Sequence, residues 1–369
     1  MSEQPSQPGD FAAIAQPYLD KGAFAGAILL AANRDRVLSV EAVGFADVEQ
    51  RKPMRPDSVY WIASQTKPIT GTAVMMLIEE GKISLDDPVS KFLPEFKTMW
   101  VAVEKDEQRV VLRPASRPIT VRDILCHISG LPFSSAVESP SFDGLPLAIA
   151  CKSYSMMQLQ SEPGVKYSYS NAGINAAGRI MEVVTGMSYE QFLDRRLLGP
   201  LGMDDTSFWP NESMLLRLAT SYAIPEDTRK LTPIPIGQLH YLLSDRTRHP
   251  MPAGGLFSTV ADCARFCQMI LRGGEWGGRR YLSEASVATL VARHTPTSVN
   301  EDYGLGFARG DGGYGHGGAF NTVMWIDPNL DLINVFAIQH SGNGDEIKKC
   351  HDAGMASVRA RFGRSPAKG

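Results

Sequence analysis

Hydrophobic positions near the start of the chain crowd into two short runs rich in β-branched and aliphatic residues, 24–30 and 37–44, separated by Asn33-Arg34-Asp35-Arg36. That pattern predicts a hairpin. Over 65–80 the period lengthens: Ile69, Ala73, Met76, Leu77 and Glu80 fall on one helical face, and Gly81 stands where a helix stop belongs. Proline is tolerated only in a first turn, where backbone N–H groups have no intrahelical partner, so Pro68 fixes the start of this helix and leaves Ser64 at its N-terminus. A second helix is predicted over 171–185, with Ile174, Ala177, Met181 and Val184 on one side and Gly186 closing it. Further helices are expected over 261–271 and 347–362, strands over 303–307, 322–326 and 332–339, and a surface hairpin over 101–112. The stretch 225–252 holds Pro225, Pro233, Pro235, Pro250 and Pro252 with little periodicity and reads as a long loop over one face, a candidate lid.

Strands at both ends with a helical middle indicate an α+β fold: an antiparallel sheet flanked by helices, carrying an inserted, mainly helical subdomain. The expected division is 11–62 together with 250–369 for the α/β part, 63–249 for the helical part, and a flexible stretch over 1–10. At 369 residues the chain exceeds the size at which one core keeps growing, which agrees with a two-part body.

Composition narrows the function classes. Hydrophobic residues make up 43% and charged residues 21%, and no run reaches the roughly 18 uncharged apolar residues of a membrane span. The net charge of -3 forms no basic stripe, so neither nucleic acid nor a membrane is expected as a partner. The first ten residues lack the basic and apolar regions of a secretory signal, and the expected address is cytoplasmic. Cys126, Cys151, Cys263, Cys267 and Cys350 are an odd set without C-x-x-C and read as reduced thiols. No H-E-x-x-H occurs, so no metal site is expected.

Three short motifs carry candidate chemistry. Ser64-Gln65-Thr66-Lys67 returns a lysine to the face of a serine after three residues of helix, a spacing that suits a nucleophile and its base. Such a pattern arises by chance about once in a chain of this length. Here, however, the apolar run behind it implies that Lys67 is buried, and the partial positive charge of the helix N-terminus is expected to depress its pKa further. Tyr169-Ser170-Asn171 presents a proton relay and an amide on one side of an extended segment, although Asn171 would equally serve as an N-cap. His316-Gly317-Gly318-Ala319 precedes a strand, and its glycines permit close approach of a ligand or another backbone. Gly310, Gly312 and Gly315 also satisfy G-x-G-x-x-G, but no helix follows, and they read as turn residues. The chain has no G-x-S-x-G, and His127 in Cys126-His127-Ile128-Ser129-Gly130-Leu131 reads as a packed loop histidine.

Taken together, Ser64-x-x-Lys67, Tyr169-x-Asn171 and His316-Gly317-Gly318 resemble the three motifs of the serine β-lactamase and penicillin-binding-protein superfamily, in order and rough spacing. The flanking segments 81–88, 127–131, 190–203 and 253–258 look like its class C and family VIII esterase branch. The resemblance implies a cleft between the two parts of the fold. In it, Ser64 would be the nucleophile, with Lys67 and Tyr169 sharing the base role. Asn171 would contact the acyl side of the substrate, the N–H groups of Ser64 and Ala319 would form an oxyanion hole, and no cofactor would be required.

One departure stands out. β-Lactamases usually carry a lysine where this chain has His316, and losing that fixed charge weakens the seating of a substrate carboxylate. The resulting expectation is a family VIII-like carboxylesterase acting on small esters. Alternatives are an amidase, a D-amino-acid peptidase or weak β-lactamase, and a sensor that is acylated without turnover. If His316 reads charge as an imidazolium, binding of anionic substrates should weaken as pH rises through roughly 6 to 7.

Overall fold

The structure is a computed structural model that describes residues 10–106, 108–342 and 344–363. The expected flexible stretch lies outside the described residues apart from Asp10. The two amino-terminal runs become β1 (Gly26–Ala32) and β2 (Val37–Asp47), followed by a short β3 (Lys52–Pro53). Asn33 makes the turn between the first two, its Oδ1 accepting from the N–H groups of Asp35 and Arg36 at 3.0 and 2.9 Å. Four strands from the other end of the chain complete the sheet: β4 (Ala308–Gly310), β5 (Gly313–Gly317), β6 (Val323–Asp327) and β7 (Leu332–Ala337). The order is β4-β5-β6-β7-β1-β2-β3, and every pairing is antiparallel.

Helices cover both faces of this sheet. On β1, Ile28, Leu30 and Ala32 point into the main core with Ile333, Val335 and Ala337, while Ala27, Leu29 and Ala31 join Leu332 and Phe336 in a second cluster. The second cluster lies under α1 (Phe11–Asp20) and the closing helix Asp345–Phe362. Burial on both sides explains why β1 reads as an unbroken apolar run instead of an alternating one.

The helical middle packs on the remaining side. Its first long helix, α2 (Thr66–Glu79), is buried at every residue from Thr66 to Leu77, so the single apolar face expected from the sequence understates it. The helix runs between β5 and the Asn171–Thr185 helix, and polar residues such as Thr70 and Thr72 survive inside by bonding carbonyls. Gly81 and Gly186 take left-handed φ values of 72° and 68° at the two helix ends, as their positions predicted.

The strand expected over 303–307 does not form; apart from one bridge between Tyr303 and Ala308, the segment is irregular. Instead it crosses α2 at close quarters. A Cβ on Gly71 would stand 2.1 Å from the Leu305 carbonyl oxygen, and one on Gly306 would stand 2.5 Å from that of Lys67. The N–H groups of Leu305 and Gly306 are spent on the Leu290 and Leu125 carbonyls instead of a sheet neighbour.

The proline-rich stretch is a loop with one short strand, Thr232–Pro233, and it is pinned. Arg248 donates to Asp143 at 2.7 Å in an ion pair whose side chains are 2% and 1% exposed, and the N–H of His240 reaches the same carboxylate. Its own Ile236, Leu239 and Leu243 are buried.

Candidate active site

Between Trp61 and Leu77 Ser64 is the only residue that is not buried, so this otherwise enclosed segment opens at one hydroxyl. Ser64 lies on a 3-10 turn, Ala63–Gln65, that leads into α2. Ala63 before it has φ +46°, a left-handed conformation that costs a residue with a Cβ about 1–2 kcal/mol. The surrounding bonds hold it there: Thr66 Oγ1 donates to the Ala63 carbonyl at 2.7 Å, the Ile62 N–H to Leu256 at 3.0 Å, and Trp61 Nε1 to Gly254 at 2.7 Å.

Lys67 is fully buried, and its Nζ lies 3.1 Å from Ser64 Oγ, 2.8 Å from Asn171 Oδ1 and 2.7 Å from the Ala253 carbonyl oxygen. As an ammonium it donates to all three. Without its third proton it still donates to the two oxygens that can only accept, and its lone pair is left for the Ser64 hydroxyl. Burial pushes its pKa well below the usual lysine range. The cause is desolvation.

Tyr169 completes the set. Its hydroxyl interacts with Ser64, and its ring lies 4.6 Å from Lys67 Nζ. Burial raises the phenol above its ordinary range, so it rests protonated and can pass a proton on without first losing one. Phe133 stacks against its ring at 6.2 Å, Phe142 stands edge-on to Phe133 at 5.9 Å, and the Phe133 carbonyl accepts from the N–H groups of Asn171 and Ala172. The N-cap of the Asn171–Thr185 helix is Ser170, whose Oγ accepts from Gly173. Asn171 is therefore freed from capping, and its amide oxygen is committed to Lys67.

The third motif arrives on β5. A Cβ on Gly318 would come within 2.5 Å of the Ile62 carbonyl oxygen and 2.2 Å of Thr322 Oγ1, so only glycine lets this turn approach the residues before Ser64. The turn closes through Gly318 N–H to Thr322 O at 2.7 Å, leaving Gly317 and Ala319 exposed beside it. Among the described residues neither the Ser64 N–H nor the Ala319 N–H meets an acceptor.

His316 is buried, and burial followed by the nearby Lys67 charge lowers its pKa to about 3. The expected pH 6 to 7 response from its imidazolium is thereby corrected: His316 is neutral throughout that range. Tyr303, which sequence reasoning left inside a predicted strand, touches this histidine at 2.8 Å. Ala253 was equally missed as a partner of Lys67; the only signal was the neighbouring Gly254-Gly255.

An open serine beside a buried lysine at the head of a helix, with a tyrosine and a glycine-lined strand edge next to them on this sheet, defines a β-lactamase-like protein of the serine type. The family model described as Beta-lactamase matches residues 11–354, and the chain belongs to that family. Protein Rv1367c of Mycobacterium tuberculosis (strain ATCC 25618 / H37Rv) is 31% identical, over 87% of each chain. Among solved structures, EstCE1, described as a hydrolase with promiscuous acyltransferase activity, is similar at TM-score 0.78 and 26% identity over 93% of this chain and 97% of its own. Unliganded simvastatin synthase LovD from Aspergillus terreus shares the fold at TM-score 0.80 and 19% identity, over 97% and 98% of the two chains. Among the described residues no helix is long and apolar enough to cross a membrane.

Proposed function

We propose that the protein is a serine hydrolase that cleaves small, uncharged carboxylic esters through an acyl-enzyme on Ser64. The observation that carries the reading is the lysine amine 3.1 Å from the Ser64 hydroxyl, desolvated enough to accept its proton. In the first half-reaction Lys67 takes that proton as Oγ attacks the ester carbonyl. The charge that develops on the carbonyl oxygen is met by the N–H groups of Ser64 and Ala319. Tyr169 hands its proton to the departing alkoxide and is reprotonated by the Lys67 ammonium, which carries the proton taken from Ser64. Water then repeats the sequence against the acyl group, with the same residues in reversed roles.

The substrate class follows from charge and shape. With His316 neutral, no fixed cation stands at the third motif to hold a carboxylate, which favours neutral esters over penicillin-like substrates. The Phe133 and Phe142 rings beside Tyr169 offer an apolar wall for a short acyl or alcohol chain. The hydrolase description of EstCE1 supports this reading by likeness. Five free, buried cysteines suit a reducing compartment, and the proposed location is the cytoplasm.

A panel of p-nitrophenyl esters, D-amino-acid amides and nitrocefin tests the assignment. The short-chain esters should be turned over with kcat/KM at least a hundredfold above the amides and nitrocefin. Nitrocefin or a D-amino-acid amide turned over as fast as the best ester would overturn it.

A further inference from the structure

Three segments that lie far apart in sequence meet behind the third motif. His127 sits in a loop with φ +61°, fully buried, its ring 4.5 Å from that of Tyr169. Its Nδ1 lies 3.2 Å from the Ser170 N–H, and its Nε2 lies 3.2 Å from the Tyr303 hydroxyl. The same hydroxyl lies 2.8 Å from His316 Nε2, while His316 Nδ1 lies 2.6 Å from the Gly317 carbonyl oxygen.

The direction of every bond in this chain follows from its two ends. The Ser170 N–H can only donate, so His127 Nδ1 accepts and its proton sits on Nε2, which then donates to the Tyr303 oxygen. Tyr303 has one proton and gives it to His316 Nε2. His316 therefore carries its own proton on Nδ1 and donates it to Gly317, whose carbonyl can only accept. No other arrangement of single protons satisfies all four contacts.

We propose that Tyr303 is a positioning residue of the candidate site, joining His127 to His316 in a one-directional hydrogen-bonded chain that fixes the tautomer of both imidazoles. Through the His316 bond to Gly317 the chain also fixes the turn that presents the Ala319 N–H. Desolvation supports it, since burial lowers both histidines and raises the Tyr303 phenol, so all three stay uncharged near neutrality. The titratable groups that face His316 are Lys67, His127, Tyr169 and Tyr303, and only Lys67 can bring charge to it in that range; that charge lowers His316 further.

The kinetic part of this inference rests on the proposed esterase reading, whereas the tautomers do not. Nitrogen-15 NMR of histidine-labelled wild-type protein should show His316 protonated on Nδ1 and His127 on Nε2, both unchanged from pH 5 to 9. Tyr303→Phe should raise the His316 titration midpoint by at least one pH unit. It should also lower kcat for p-nitrophenyl butyrate at least tenfold with KM within twofold, as a displaced oxyanion donor requires. The opposite tautomer on either ring, a wild-type midpoint between pH 5 and 9, or a Tyr303→Phe protein with unchanged His316 resonances and kcat would overturn the proposal. If the protein proved not to be an esterase, the kinetic readout would vanish while the wild-type NMR pattern stood.

Discussion

The missing side chain at Gly318 sets how near the third motif comes to Ser64. A methyl group there would meet Thr322 Oγ1 at 2.2 Å and the Ile62 carbonyl oxygen at 2.5 Å. The hydroxyl can rotate away, but the carbonyl cannot retreat without moving the backbone that leads into Ser64. Gly318→Ala should therefore push the Ala319 N–H out of line and cost about 10²-fold or more in kcat, the range for losing one oxyanion donor. Labelling of Ser64 by a fluorophosphonate should persist, more slowly, because Lys67 is untouched. Wild-type kcat in that variant would show that the Ala319 N–H takes no part. At this scale the sequence was informative where chemistry follows local spacing: Ser64 and Lys67 meet because three residues of helix bring them together. It was silent where partners come from afar. Tyr303 and Ala253 sit 236 and 186 positions from Lys67; nothing beside Tyr303 marks it, and Ala253 is marked only by Gly254-Gly255.

Elements were legible in proportion to how much of their pattern is local. The Asn171–Thr185 helix follows its apolar period and its closing glycine, and the Asn33 turn follows its hairpin residues. The 303–307 segment has the composition of a strand, yet its backbone is claimed by α2 through the Gly71 and Gly306 approach, which no periodicity encodes. The proline-rich loop is fastened by Arg248 and Asp143, a pair nine-tenths or more buried, and removing one partner strands the other charge without water. Asp143→Ala should cost about 3–5 kcal/mol of stability in urea unfolding. A control at the exposed Glu346, which pairs with Lys21 and Lys349, Glu346→Gln, should cost far less. Equal effects from the two substitutions would mean that the loop is not anchored by this pair.

On the scale of the whole molecule, the fold brings the two ends of the chain into one sheet and runs α2 between that sheet and the helical part. This arrangement buries Lys67 completely while Ser64 stays open. The α+β class was legible from strands at both ends, whereas the depth at which α2 lies was not, because a helix packed on every side shows no polar face to measure it by. Depth governs the pH response. A cation with a depressed pKa is charged below that value and neutral above it, so kcat/KM for a neutral ester should rise with pH through the Lys67 ionisation and then level off. His316, lowered to about 3, should add no step between pH 5 and 9. The central claim is a transient acyl-enzyme on Ser64, and intact-protein mass spectrometry of samples quenched during turnover of p-nitrophenyl butyrate tests it most directly. The account predicts a mass gain of one butyryl group that maps to Ser64, decays as product accumulates, and is absent from Ser64→Ala. A butyryl adduct on another residue, ester turnover by Ser64→Ala at the wild-type rate, or one permanent equivalent with no further product would contradict it.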